Sequence, residues 1–93
     1  MRLDLFLKSS RLIQRRTLAQ EYCDAGLISV NGTAAKSSKD IQAGDEIVIK
    51  RRNRTTAIRV NLIPESKQVA KSNAAELYEI VGDEIQPEAD RLP

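Results

Sequence analysis

The chain has 93 residues, 15 Lys and Arg against 13 Asp and Glu for a net charge of +2, 3% aromatic residues, one cysteine and no histidine. That length holds one small domain and excludes a second catalytic domain, while a lone Cys23 without His excludes an internal disulfide and a zinc site, as in a reduced, cytoplasmic, metal-free protein. Phe6, Tyr22 and Tyr78 are the only rings, which argues against reading single-stranded bases on a row of aromatic platforms.

The opening Met1 to Lys8 run is too short and too interrupted by charge for a signal peptide, and no apolar stretch approaches membrane-spanning length, so the mature protein is expected to begin at Met1. Leu3, Phe6, Leu7 and Ser10, at spacings of three and four, predict a short amphipathic helix. Arg2, Asp4 and Lys8 project elsewhere, with Asp4 placed to pair with Lys8 or Arg11 and to favour the helix N-terminus. After a turn around Leu12 to Arg15, Leu18, Ala19, Tyr22 and Cys23 share one stripe of a second helix, which Gly26 ends in the left-handed conformation. Cys23 reads as a small buried apolar residue.

Arg15 and Arg16 stand where that second helix begins. Basic side chains there oppose the positive end of the macrodipole, at a cost of roughly 0.3 to 1 kcal/mol each. A phosphate at that terminus would instead be gripped by free backbone N–H groups and the guanidinium forks, with a hydroxyl from Thr17. If Thr17 itself caps the helix, both arginines fall in a solvated turn.

Ile28, Ser29 and Val30 alternate as a strand, Asn31-Gly32 supplies a tight two-residue hairpin turn, and Thr33 to Lys36 returns as a second strand. Gly44-Asp45 marks another reversal before Glu46 to Lys50, a β-rich run. Arg51, Arg52, Asn53 and Arg54 form a basic turn. Ile58, Val60 and Leu62 then alternate as a last strand closed by Pro64. Asn73 with Glu76 resembles a capping box, predicting a third helix from about Ala74 to Ile80 folded back on the sheet. From Gly82 to Pro93 four acids face one base, a composition expected to stay disordered. The resulting organisation is a domain over 1–64, a linker and short helix over 65–81, and an acidic tail over 82–93.

Charge is strongly polarised along the chain. Residues 1–54 carry 11 basic and 6 acidic side chains, a net +5, while residues 55–93 carry 4 and 7, a net −3. Such a field attracts nucleic-acid phosphate and orients it. No catalytic constellation accompanies it: there is no His, Cys23 lacks a base, no Gly-rich phosphate loop is present, and Asp4, Asp45 and Glu46 fit helix and turn roles. The chain is expected to be no enzyme and to need no cofactor.

The order Met1-Arg2-Leu3-Asp4 with Leu7, then Arg11, Arg15-Arg16-Thr17 with Ala19, Gly26 before Ile28 to Gly32, and Gly44-Asp45-Glu46-Ile47 resembles the RNA-binding domain named after small-subunit ribosomal protein S-four, the αL motif. The likeness spans about residues 1 to 50. It implies an α+β fold in which two short N-terminal helices pack on a small, mostly antiparallel sheet and their face binds structured RNA. Carried onto this sequence, it puts Arg2, Lys8, Arg11, Arg15, Arg16 and Lys36 on that face, where the Thr17 hydroxyl joins them by the helix-terminus reading above, with Leu3, Leu7, Leu18 and Ala19 holding the platform. Arg51 and Arg52 either touch a second RNA or blunt a sheet edge. Leu5 stands where family members often carry a basic residue.

Among stand-alone members the chain is similar to factors of bacterial ribosome-associated quality control. By resemblance it would bind the large ribosomal subunit with obstructed peptidyl-tRNA, contact rRNA and tRNA, and support a partner factor that adds C-terminal tails to the stalled chain. Heat-shock recycling of free large subunits and a protein-binding adaptor are the alternatives. With no coiled coil or large apolar patch in view, a monomer off the ribosome is expected.

Overall fold

The computed structural model describes residues 1–64 and 74–85. Two helices, α1 (Leu3–Ser9) and α2 (Arg16–Asp24), come first, followed by strands β1 (Ile28–Val30), β2 (Thr33–Ala34), β3 (Glu46–Lys50), β4 (Arg54–Val60) and β5 (Tyr78–Ile85), with a 3-10 turn at Ala75–Leu77. The strands form one antiparallel sheet in the order β2-β1-β3-β4-β5. This is the expected α+β arrangement of two helices on a sheet.

Strand alternation decides which face is covered. Ile28 and Val30 on β1, Ile47 and Ile49 on β3, and Thr56, Ile58 and Val60 on β4 are buried while their neighbours are more exposed. The register places Ile28 opposite Ile49 and Ile47 opposite Ile58, so the apolar residues line up across strands. Leu3, Phe6 and Leu7 of α1 and Ala19 and Cys23 of α2 close over this face in one core. Each fully buried Leu, Ile or Phe side chain contributes about 1.5–3 kcal/mol of apolar transfer, which a domain of this size needs from nearly every core position.

Local chemistry sets the joints. Gly26 (φ +75°) ends α2 in a Schellman arrangement, its N–H donating to Cys23 O and the Leu27 N–H to Tyr22 O. Asn31 and Gly32, with φ of +52° and +86°, make the predicted hairpin turn. The Asn31 amide also ties that turn to the next reversal, donating to Asp45 Oδ1 at 3.2 Å and accepting from the Glu46 N–H at 3.0 Å.

Four expectations change. β2 ends at Ala34, which leaves Lys36 in the following loop rather than in a strand. Leu18 is 38% exposed and does not belong to the buried platform; on α2 that role falls to Ala19 and Cys23. Among the described residues the third helix does not extend past Ala74: Ala75–Leu77 forms a 3-10 turn and Tyr78 opens β5, which pairs with β4 from Val60↔Tyr78 to Arg54↔Ile85. β4 is therefore flanked by β5, and Gly82 to Ile85, expected in a disordered tail, lie in a strand. The Asn73 capping residue and the tail from Gln86 onward lie outside the described residues.

A register shift between Ala57 and Ile58 leaves Val81 of β5 as an unpaired bulge residue. Arg59 to Glu79 and Arg54 to Asp83 are cross-strand ion pairs that join β4 to β5. Among the described residues no helix is long and apolar enough to cross a membrane.

Candidate RNA-binding face

Asp4 is the pivot of the N-terminal region. Its side chain is completely buried, and its carboxylate accepts from the Leu5 N–H at 2.7 Å, Gln20 Nε2 at 2.9 Å, Arg2 Nη2 at 3.3 Å and Arg16 Nε at 3.3 Å. Burial alone would raise its pKa, but the hydrogen bonds from Gln20 and Arg16, the Arg16 charge and the Leu5 N–H outweigh it and hold the carboxyl below its ordinary value. The expected pairing with Lys8 or Arg11 is replaced by these longer-range contacts. Two guanidiniums are thereby fixed on one side and left open on the other, with Arg2 and Arg16 side chains 48% and 40% exposed. A fork already oriented loses less entropy on gripping a phosphate.

The two helix N-termini differ in what they offer. At α1 the first N–H groups are satisfied, Leu3 by Lys39 O, Asp4 by Ser37 O and Leu5 by the Asp4 carboxylate. At α2, Arg15 occupies the N-cap position, makes no side-chain capping bond, and is followed by Arg16 as the first helical residue. Helix start at Thr17 is thus ruled out, and both arginines sit where the macrodipole is positive. Among the described residues no acceptor takes the first-turn N–H groups of α2, Thr17 included, whereas those of α1 are already committed, and such free donors suit an anion.

Arg11 adds a backbone signal. It follows α1 in the left-handed conformation, φ +63°, with its N–H donating to Lys8 O at 3.0 Å. Gly26 fills the same position after α2. A non-Gly residue there costs on the order of 1 kcal/mol or more, and the cost falls on an exposed arginine between the two helices.

The loop from Arg11 to Arg15 is latched to the sheet by Arg51, whose Nη2 donates to Leu12 O at 2.6 Å. The β3–β4 turn therefore lies beside the arginine loop. Arg51 has a fold-holding task, Arg52 is exposed beside it, and Arg54 is engaged by the Asp83 carboxylate, with Nε to Oδ1 at 2.9 Å. Lys8 is exposed on the last turn of α1, where a cation suits the helix dipole. Lys36 is exposed in the loop whose Ser37 and Lys39 carbonyls cap α1.

Sequence reasoning singled out the arginines but missed Asp4 as the group that holds Arg2 and Arg16, and Gln20 as the donor that helps hold Asp4. The available signal was a single acid among five basic residues in the first sixteen positions, and a Gln one turn after Arg16. No cluster of His, Cys, Asp and Glu suited to a metal occurs among the described residues. Cys23 is buried, and burial followed by the charges of Asp4 and Asp24 pushes its thiol up to about 11, which keeps it protonated and unreactive.

Residues 1–47, the span that contains α1, α2, the hairpin and the Asp4 cluster, match the family model of the S4 domain. The chain belongs to the S4 domain family. Its relatives include the RQC P-site tRNA stabilizing factor of Bacillus subtilis (strain 168), 45% identical over 84 residues that cover 90% of this chain and 95% of that protein. The corresponding factor of Streptococcus pneumoniae is 43% identical over 83 residues, 89% of this chain and 92% of the other. The S4 fold is shared with the trimeric heat shock protein 15 of Vibrio cholerae, at a TM-score of 0.78 and 27% identity over 87% of this chain and 81% of the other. These S4 relatives span both helices and the sheet.

Proposed function

We propose that this chain is a ribosome-associated quality-control factor that binds the large ribosomal subunit carrying an obstructed peptidyl-tRNA, stabilises the tRNA in the P site, and so supports a partner factor in adding C-terminal tails to the stalled nascent chain. The observation that carries the reading is the pair of guanidiniums, Arg2 and Arg16, pre-aligned on the buried Asp4 carboxylate. The same chain is 45% identical to a protein named for stabilising P-site tRNA.

In this reading Arg2, Lys8, Arg11, Arg15, Arg16, Thr17 and Lys36 meet RNA phosphates, and Arg52 with the outer edge of Arg51 extends the contact from the β3–β4 turn. Two cationic patches on adjacent elements suit two RNAs, rRNA and tRNA, held against each other. The protein acts by positioning and makes or breaks no covalent bond. It works in the cytoplasm as a monomer, without a cofactor.

The adaptor alternative loses ground to charge pairing, because the acids Glu79 and Asp83 answer Arg59 and Arg54 within the sheet. Action on free large subunits after heat shock draws on the fold shared with heat shock protein 15. The higher identity to the P-site factors, 45% against 27%, favours quality control.

The test is co-sedimentation with purified large subunits, with and without peptidyl-tRNA, over a salt series. Phosphate contacts predict affinity that falls steeply with salt and a marked preference for subunits holding peptidyl-tRNA. Replacing Arg11 and Arg15 together by Ala removes two exposed charges and should weaken binding by roughly tenfold or more at physiological salt. Undiminished sedimentation of that variant would reject the assignment of this face, and equal binding to empty subunits would favour the heat-shock reading.

A further inference from the structure

Beside the hairpin lies a groove of about 500 Å³, lined by Thr33 and Ala34 of β2 and by Ala35, Lys36, Ser38 and Lys39 of the loop that follows. That volume falls within the roughly 300–1,000 Å³ of small-ligand sites. We infer that the groove is a nucleotide site: it takes one unstacked nucleotide of the bound RNA, with the phosphate on Lys36 and Lys39 and the ribose against Ala34 and Ala35. The inference rests on the RNA-binding reading and extends it to a place that the helical arginines do not reach.

The lining chemistry selects this ligand. Lys36 and Lys39 are exposed and enter no ion pair among the described residues. The neighbouring acid, Asp40, accepts from the Met1 amine at 2.8 Å, so the N-terminus answers part of its charge beside that of Lys39. Thr33 and Ser38 supply hydroxyls suited to a phosphate or a 2′-OH, and the alanines supply a small apolar wall. No carboxylate and no aromatic ring lines the groove. An anion joined to a sugar fits this set, and a stacked base does not.

The rim is held in place, and it is continuous with the Asp4 cluster. Ser37 O and Lys39 O accept the Asp4 and Leu3 N–H groups at 3.1 and 2.8 Å, and the Arg2 and Asp40 backbones form an isolated antiparallel β-bridge. The loop therefore runs alongside the residues that carry the Arg2 and Arg16 guanidiniums. The Asn31 amide, which also lines the groove, is committed to Asp45 and Glu46, which leaves the lysines and hydroxyls to grip phosphate and ribose.

An amide NMR titration of the full chain with the trinucleotide ApApA, and separately with inorganic phosphate, tests this. Saturable shifts of the Thr33 to Lys39 amides with ApApA, much weaker with phosphate at equal concentration, are expected. Lys36→Ala/Lys39→Ala should reduce the ApApA affinity of that segment by roughly tenfold while the shifts at Arg2 to Leu18 persist. Shifts confined to Arg2 to Leu18 would overturn the groove and leave the RNA face standing, and equal shifts with phosphate would reduce it to an anion patch. Absence of all shifts, together with no binding to large subunits, would bring down the RNA reading and the groove with it.

Discussion

Arg16 Nε and Asp4 Oδ2 lie 3.3 Å apart across twelve residues of chain, the arginine 40% exposed and the carboxylate fully buried. The contact locks the start of α2 to the start of α1 and sets the outward direction of the guanidinium. Asp4→Asn keeps the shape and removes the charge, turning one acceptor into a donor that faces the Arg16 and Gln20 donors. A loss of about 1–3 kcal/mol is expected, read as a lower urea midpoint, together with weaker sedimentation on large subunits. An unchanged midpoint would show that the carboxylate anchors nothing.

The same carboxyl gives a pH signature. Its folded-state pKa lies below the ordinary 3.8, so the unfolded chain binds the proton more tightly than the folded one. The stability it contributes is complete above the unfolded pKa and is lost as pH falls through the lower folded value. Asp40, held by the N-terminal amine, and Asp83, held by Arg54, shift in the same direction. Urea midpoints measured from about pH 5 down to pH 2 should fall with acid in the wild type and fall less in Asp4→Asn. Parallel curves would assign the acid sensitivity to the two surface carboxylates alone.

What the sequence disclosed and what it hid divide along contact range. Gly26 and Asn31-Gly32 were legible because a positive φ is a local requirement that few residues meet. α1 was legible because its apolar spacing is local too. β5 was not: Ala74, Ala75, Glu76 and Leu77 favour a helix by themselves, and Tyr78 to Ile85 becomes a strand only through pairing with β4, some twenty residues earlier, where Ile80 meets Ile58. Asp4 was misread for the same reason, since spacing along α1 offers Lys8 whereas packing delivers Gln20 and Arg16. Leu18 fits the α2 stripe by angle, yet the sheet covers only the Ala19 and Cys23 side.

The latch between Arg51 and the Leu12 carbonyl should control the mobility of the arginine loop. Arg51→Ala removes a charge-assisted bond of 2.6 Å and leaves that carbonyl to solvent, at a cost of about 1–3 kcal/mol. Amide hydrogen exchange should quicken at Arg11 to Arg15 while the β1–β3 core keeps its protection. Exchange that quickens uniformly across the sheet would mean that the turn supports the whole fold rather than the loop.

Arg11 offers the sharpest separation of stability from binding. Its left-handed backbone, φ +63°, is one that glycine enters without the Cβ clash, and the structure uses glycine at the equivalent place after α2. Arg11→Gly relieves strain on the order of 1 kcal/mol and adds about 0.5–1 kcal/mol of chain entropy to be lost on folding, so the two terms nearly cancel. Stability should therefore stay within experimental spread of the wild type, while affinity for large subunits drops and the salt slope becomes shallower by about one unit. Arg11→Ala is the control that separates the terms: it removes the same charge but keeps the strained Cβ, so it should bind as poorly as Arg11→Gly. If both variants sediment with large subunits as the wild type does, the arginine is tolerated in that conformation for some reason other than RNA, and the phosphate face must be redrawn without it.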